Sequence, residues 1–367
     1  MKRNILNRNN IIAVLMLLAF MSGWQNPVAG AKAKDCIISN GVLKSYSGDS
    51  KVYRIPKKVK KIASGAFEKA ADLEKVIIGS NVKHINSFFV YGNKSIKSIE
   101  VSRDNRKYSS HGGLLYNKSG KKMIACAPAR KNVVIYDKCE KPGLIEGSNI
   151  ETITLGKNTN DWYVNSLDRS FIGVMPNLKK IMVKKGNERY FTRDGVLFMR
   201  SGDGSNNGIC LVKYPSSVQA DRYIIPDDVS SIMAYAFSYS TIGNLVIPEN
   251  VTSLDCPIYH ANIENITLKG VCAPETERYI QSDAYNPWSF WRGLEPDDVT
   301  AGNLKRYIFE NDNAVIPSPN TDNVPSPVIG WTPDWHPGHV VICSRANSTA
   351  HRYAIENGLV WEELLQH

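Results

Sequence analysis

The amino-acid sequence predicts an α/β solenoid dominated by short parallel strands, and three observations predict it. The set Ile55-Pro56, Val59, Ile62, Ala66-Phe67 recurs in the same spacing as Ile225-Pro226, Val229, Ile232, Ala236-Phe237. It returns 22 residues later as Ile247-Pro248, Val251, Leu254 and Tyr259, and the first copy is echoed 23 residues on by Ile78, Val82 and Ile85. Seven segments, beginning at Leu73, Ile96, Ile150, Leu178, Ile242, Ile263 and Leu304, read L-x-x-I-x-I with aliphatic or aromatic residues. A unit of about 20 residues cannot bury its own apolar face, so it stacks on neighbours of the same shape. The product is a long surface rather than an enclosed cleft, which favours binding over catalysis.

Each L-x-x-I-x-I segment supplies one strand per coil, because its last two apolar positions are two apart and share a face. About ten such strands, stacked at ~4.8 Å, give a sheet on the order of 45 to 50 Å long. Asn81, Asn158 and Asn250 stand three residues beyond the last apolar position, where an amide bonds backbone groups as the strand turns away. Gly186 and Val271 break that pattern.

A larger unit occurs twice. Asn105, Tyr108 and Gly113-Leu114-Leu115-Tyr116 return at a constant offset of 82 as Asn187, Tyr190 and Gly195-Val196-Leu197-Phe198. The offset grows to 87 between Pro128 and Pro215, so five residues are added within Ser201 to Gly208. The unit reads as a hairpin inserted into a coil, with Leu114–Tyr116 and Met123–Ala125 joined by an Asn-Lys-Ser-Gly turn.

These motifs resemble the BspA-type leucine-rich-repeat family, whose repeats read I-P-x-x-V-x-x-I-x-x-x-A-F, as at Ile55 to Phe67 and Ile225 to Phe237. The resemblance covers roughly residues 50 to 272. It implies a right-handed superhelix with inserted hairpins and a closing C-terminal coil. It also implies a secreted or surface protein, some members of the family being adhesins toward host matrix proteins or other cells. No ligand is carried over.

The division that follows is a signal peptide at 1–33, a lead-in at 34–50, the leucine-rich-repeat solenoid at 51–272, a Pro/Trp-rich loop insertion at 273–340 and a capping repeat at 341–367. Lys2, Arg3 and Arg8 precede an uncharged run from Ile11 to Met21, and small residues follow through Ala33, the pattern of a secretory leader. The run is short of the ~20 residues that a helix needs to span a bilayer. No later segment is apolar enough to insert, so membrane insertion is not expected after cleavage. In the cap, Ser348 to Leu364 is expected to form a helix, started by Ser348 or Thr349 and stopped at Asn357-Gly358, with Trp361 packing back on the solenoid.

The chain has 45 basic and 35 acidic residues, a net +10. Removal of the leader leaves about +6, an excess that favours anionic partners such as acidic glycans or wall polymers but marks no site. Export and the lack of a basic stripe with interleaved aromatics argue against nucleic acid. The seven cysteines show no C-x-x-C pair or metal-ligand spacing. Cys126 with Cys139, and Cys256 with Cys272, are positioned for disulfides across adjacent coils, or all are buried small side chains. His336 and His339 lie among prolines, a context for loop histidines rather than metal ligands. No nucleophile elbow, zincin, P-loop or dinucleotide fingerprint occurs, and no cofactor is implied.

Residues 273–340 carry four of the seven tryptophans: Trp288, Trp291, Trp331 and Trp335. In a surface loop such rings stack on sugars or anchor a protein partner; otherwise they build a small core that holds the insertion to the solenoid. The reading is a non-enzymatic, exported protein that binds a host or neighbouring-cell surface protein or glycan. The alternatives are a carbohydrate- or cell-wall-binding protein that uses the Trp-rich loops, and a hydrolase with its site in 273–340.

Overall fold

The computed structural model describes residues 35–142, 149–160, 175–200, 208–233, 236–251, 253–254, 261–270, 304–314, 341–356 and 358–365. They form a β-solenoid whose L-x-x-I-x-I segments are parallel strands. The aliphatic side chains at the inner positions are sealed, as with Val76, Ile99, Ile153 and Ile266 at 0% exposure. Their neighbours alternate outward, so in Lys75–Ile78 the lysine and Ile77 are half-buried while Val76 and Ile78 are buried.

The expected single sheet is instead three. Val52–Arg54, Lys75–Ile78 and Ser98–Val101 form the first; Asn132–Val134, Thr152–Leu155 and Lys180–Val183 the second. Gln219–Ile224, Thr241–Ile247, Asn262–Leu268, Arg306–Phe309, Val341–Ser344 and Trp361–Glu363 form the third. The inserted units cause the first break. The edge strand Ser98–Val101 gives the Ile99 N–H to the carbonyl of Gly113 and the Val101 N–H to Ser110 Oγ, both groups of the insertion, so no further parallel strand adds there. A second row of short parallel strands runs beside the first: Val42–Tyr46, Lys61–Ile62 and His84–Ile85, then Ile209–Lys213, Val229–Ile232 and Ser253–Leu254.

Each insertion is a three-stranded antiparallel meander, one strand more than the expected hairpin. Tyr108–His111, Leu114–Asn117 and Met123–Ala125 make the first; Tyr190–Arg193, Val196–Arg200 and Ile209–Lys213 the second. Their first turns are Gly112-Gly113 and Asp194-Gly195, all four residues at positive φ, the conformation that a two-residue hairpin loop demands. The middle strands are buried on both sides. Leu115 joins the N-terminal core while Leu114 and Tyr116 join the central one; Leu197 joins the central core while Val196 and Phe198 join the C-terminal one. The meanders are therefore walls between core compartments, which explains why Gly-Leu-Leu-Tyr and Gly-Val-Leu-Phe show no polar alternation.

The repeat holds at the level of single hydrogen bonds. The Val59 N–H donates to Pro56 and the Val229 N–H to Pro226; Tyr46 donates to Ala66, and Tyr214 to Ala236. Phe67 and Phe237 are both fully buried, each beside a tyrosine pair: Tyr46 and Tyr53, or Tyr214 and Tyr223. Asn81 and Asn250 donate to the Lys57 and Asp227 carbonyls of the preceding coil at 2.8 and 2.7 Å.

At the C-terminus the expected helix is shorter. It spans Thr349–Glu356, with Ser348 Oγ accepting the His351 N–H at 3.1 Å. It ends before Gly358, which has φ 65°, and Trp361–Glu363 pairs with Val341–Ser344 as a further parallel strand. The β-branched and aromatic content after Gly358 suits a strand better than a helix. Trp361 stacks on His351 at 4.0 Å and donates to Ser344 Oγ at 3.0 Å, so it does pack back on the preceding coil. This is the one helix among the described residues, so strands dominate and the α/β description gives way to a β-solenoid. Arg306–Phe309 is the strand expected of the segment at Leu304, and it falls within 273–340, the stretch read as a loop insertion.

Candidate binding surface

The two rows of strands carry charge in different ways. On the first row, Glu74 sits between Lys51 and Lys97 on adjacent coils, at 3.4 and 3.0 Å. Glu151 repeats this between Lys131 and Lys179 at 2.9 and 3.0 Å. Lys75 with Glu100, Lys305 with Glu264, and Arg306 with Glu362 extend the pattern. Hydrogen bonds from Lys97 and Lys131 respectively are the main cause that holds the Glu74 and Glu151 carboxyls below their usual range. These pairs are exposed and contribute little stability. Their consequence is that each lysine meets its counter-charge inside the protein.

The second row is different. Val42, Lys61 and His84 lie in register on neighbouring strands, while Leu43 and Ile62 between them are buried. One residue earlier, the Lys83 N–H donates to the Lys60 carbonyl and the Lys60 N–H to Gly41, so the two lysines are stacked one coil apart. Lys57, Lys58, Lys60, Lys61, Lys83 and His84 are all exposed. Among the described residues none of these six makes an ion pair. Arg106 and Lys107 continue the row, because Asn105 bonds the Val82 carbonyl and Tyr108 Oη accepts the Ile85 N–H at 3.0 Å.

The whole-chain charge conceals this arrangement. Residues 35–142 hold 22 basic and 9 acidic side chains, a net +13, whereas residues 143–367 hold 18 and 26, a net −8. The acidic excess of the second stretch falls on residues outside the described ones; its described residues hold 15 basic and 13 acidic side chains, close to balance.

Little else in the described residues is equipped for chemistry. No group of three His, Cys, Asp or Glu side chains there is placed to hold a metal ion. Cys36, Cys126, Cys139 and Cys343 are free thiols, so Cys126 and Cys139 are not bridged. Burial pushes the Cys126 thiol up to about 12 and those of Cys139 and Cys343 to about 11, which keeps them protonated and unreactive. Lys213 is 1% exposed, with its ammonium on Ser238 Oγ at 2.7 Å, and burial brings its pKa down to about 7. It is sealed from any substrate. Trp288, Trp291, Trp331 and Trp335, together with Cys256, Cys272, His336 and His339, lie outside the described residues.

Sequence reasoning missed a set of asparagines that hold the coils together. Asn105 is fully buried; its amide donates to the Gly79 and Val82 carbonyls, and its Oδ1 accepts from the Lys107 and Tyr108 N–H groups. Asn187 makes the same four bonds in the second unit, and Asn93, about half a coil before Asn105, makes four of this kind. The offset of 82 marked the first two as equivalent without showing what they do.

The fold defines a stacked-repeat protein that presents rows of exposed side chains on its strand faces. The chain belongs to the BspA-type leucine-rich-repeat family, which matches it in six copies over residues 38–170 and 215–313. The unmatched stretch contains the second meander. Among solved structures, it is similar to a leucine-rich cell surface protein of Faecalibacterium prausnitzii A2-165, at 16% identity over 77% of this chain and 88% of that one, TM-score 0.36. A leucine-rich-repeat protein of Eubacterium ventriosum ATCC 27560 is 15% identical over 76% of each chain, TM-score 0.35. The pneumococcal vaccine antigen PcpA is 12% identical over 88% of this chain and 80% of that one, TM-score 0.35. No curated protein matches the chain.

Proposed function

We propose that this protein is exported and works at or outside the cell surface by binding macromolecules, without catalysis. The family carries this reading, since BspA-type repeats point to a binding or adhesion role. The surface supports it. Stacked coils present rows of exposed side chains at a regular spacing, which suits an extended partner. The basic, apolar and small-residue order of residues 1–33 supports export. Among the described residues no helix is long and apolar enough to cross a membrane.

The test is a pull-down with the purified protein against host matrix proteins and purified cell wall, together with fractionation of the producing cells. Saturable binding to one class, by a protein found outside the cytoplasm, supports the reading. A cytoplasmic protein that binds neither class would overturn it.

A further inference from the structure

We propose that the second row of strands in the N-terminal third, around Lys57, Lys58, Lys60, Lys61 and Lys83, is a docking strip for a linear sulfated or carboxylated polysaccharide. This rests on the binding function proposed above and names its ligand class. The first observation is the contrast between the two rows. Lysines on the first row alternate with glutamates from coil to coil, so their charge is met internally. On the second row Lys60 stacks on Lys83 and Lys61 faces His84 in register, and none of the four has an acidic partner among the described residues. Like charges placed side by side on adjacent coils, as Lys60 and Lys83 are, repel one another. The arrangement costs folding energy that an external polyanion would recover.

The second observation is where the charge is placed. The net +13 of residues 35–142, of which every residue is described, compares with 15 basic and 13 acidic side chains, a net +2, in the described residues that follow, so an anionic chain is drawn toward the N-terminal coils. The third is spacing. Cations recur once per coil, at ~4.8 Å along the axis, close to the advance of one sugar ring in an extended polysaccharide. A polymer lying along the axis therefore brings a sulfate or carboxylate to each coil in turn.

A single-stranded nucleic acid fits less well, because such sites interleave cations with rings on which bases stack. The strip offers Tyr108, whose hydroxyl is already held by the Ile85 N–H and the Lys83 carbonyl.

The experiment measures binding of the purified protein to size-defined heparin fragments across a salt series. A Lys60→Ser/Lys61→Ser/Lys83→Ser variant is compared with Lys51→Ser/Lys97→Ser/Lys131→Ser, which removes the same three charges from the glutamate-paired row. The expected result is a dissociation constant weakened roughly 10- to 100-fold by the first variant, a shallower salt dependence, and no more than about a twofold change in the second. The first variant should also melt no lower than the unaltered protein, since it relieves repulsion. Equal losses in the two variants would reduce the effect to net charge and overturn the proposal. So would tighter binding to single-stranded DNA of matched charge or to phosphatidylserine vesicles. If heparin and a polyuronate both fail to bind while the matrix or wall pull-down succeeds, the ligand class is wrong and the binding function stands; if both fail, the binding function falls as well.

Discussion

Replacing Asn105 by Ala should be among the most damaging single polar substitutions in the N-terminal half. The side chain is fully buried and makes four hydrogen bonds of 2.8 to 3.0 Å, two given and two received, to the backbone of its own and the preceding coil. An average bond contributes ~1 kcal/mol net, but each buried group left without a partner costs ~1 to 3 kcal/mol. The Gly79 carbonyl keeps a long bond from the Val82 N–H at 3.5 Å, and water reaches the backbone beside exposed Lys107, so two of the four losses are softened. The Val82 carbonyl and the Tyr108 N–H bear the larger share, for a total of ~3 to 5 kcal/mol. Asn105→Asp is the sharper probe, because it keeps an acceptor for the two N–H groups but turns a carboxylate toward two carbonyls. It should lose at least half as much as Ala. Because repeat proteins are stabilised by nearest-neighbour interfaces, the loss should be local. Hydrogen exchange should accelerate at Lys107, Tyr108 and the coil of Val82 while the C-terminal sheet stays protected. A urea unfolding shift under ~1 kcal/mol for Ala, or an Asp variant like the parent, would refute the reasoning. Asn187, which is only part-buried, should cost less on the same substitution.

Phe237→Ala should cost ~3 to 5 kcal/mol through the cavity left beside Tyr214 and Tyr223, and Phe67→Ala a similar amount; melting within a degree or two of the parent would show the two repeats to be misaligned. Ser348→Ala removes the acceptor for the His351 N–H and should cost ~1 to 2 kcal/mol, read as a lower melting temperature. Deleting residues 345–367 uncovers the edge of Val341–Ser344 and should drive self-association, visible by light scattering; a monomeric, protease-resistant product would make that segment a mere tail. Lys213 should give a pH signature. Its folded pKa of about 7 lies below the unfolded value, so between these the unfolded chain binds more protons and stability rises with pH. At and below pH 7 the cost of burying the ammonium is present. Thermal melts from pH 6.5 to 9.5 should climb in the parent and flatten in Lys213→Met; parallel curves would contradict the burial.

The periodic spacing of apolar residues was enough to read the coils, the strands and the family. Ile55, Val59, Ile62 and Phe67 must all face inward for units this short to be stable, and that demand is local and repeats. The offset of 82 likewise marked the inserted units. It missed the meander's third strand because Tyr108–His111 is polar and part-buried, without a clear alternation. The length of the terminal helix was misread for a related reason: the Trp361–Glu363 strand forms because Val341–Ser344 offers it an open edge, a tertiary fact. The candidate surface was the least legible. Lys60, Lys61, Lys83 and His84 are scattered basic residues in the chain, like Lys51 and Lys97. Stacking sets the first group against one another and the second against Glu74. Charge interacts across coils some 23 residues apart in sequence but neighbouring in space, so its pattern exists only once the coils are stacked.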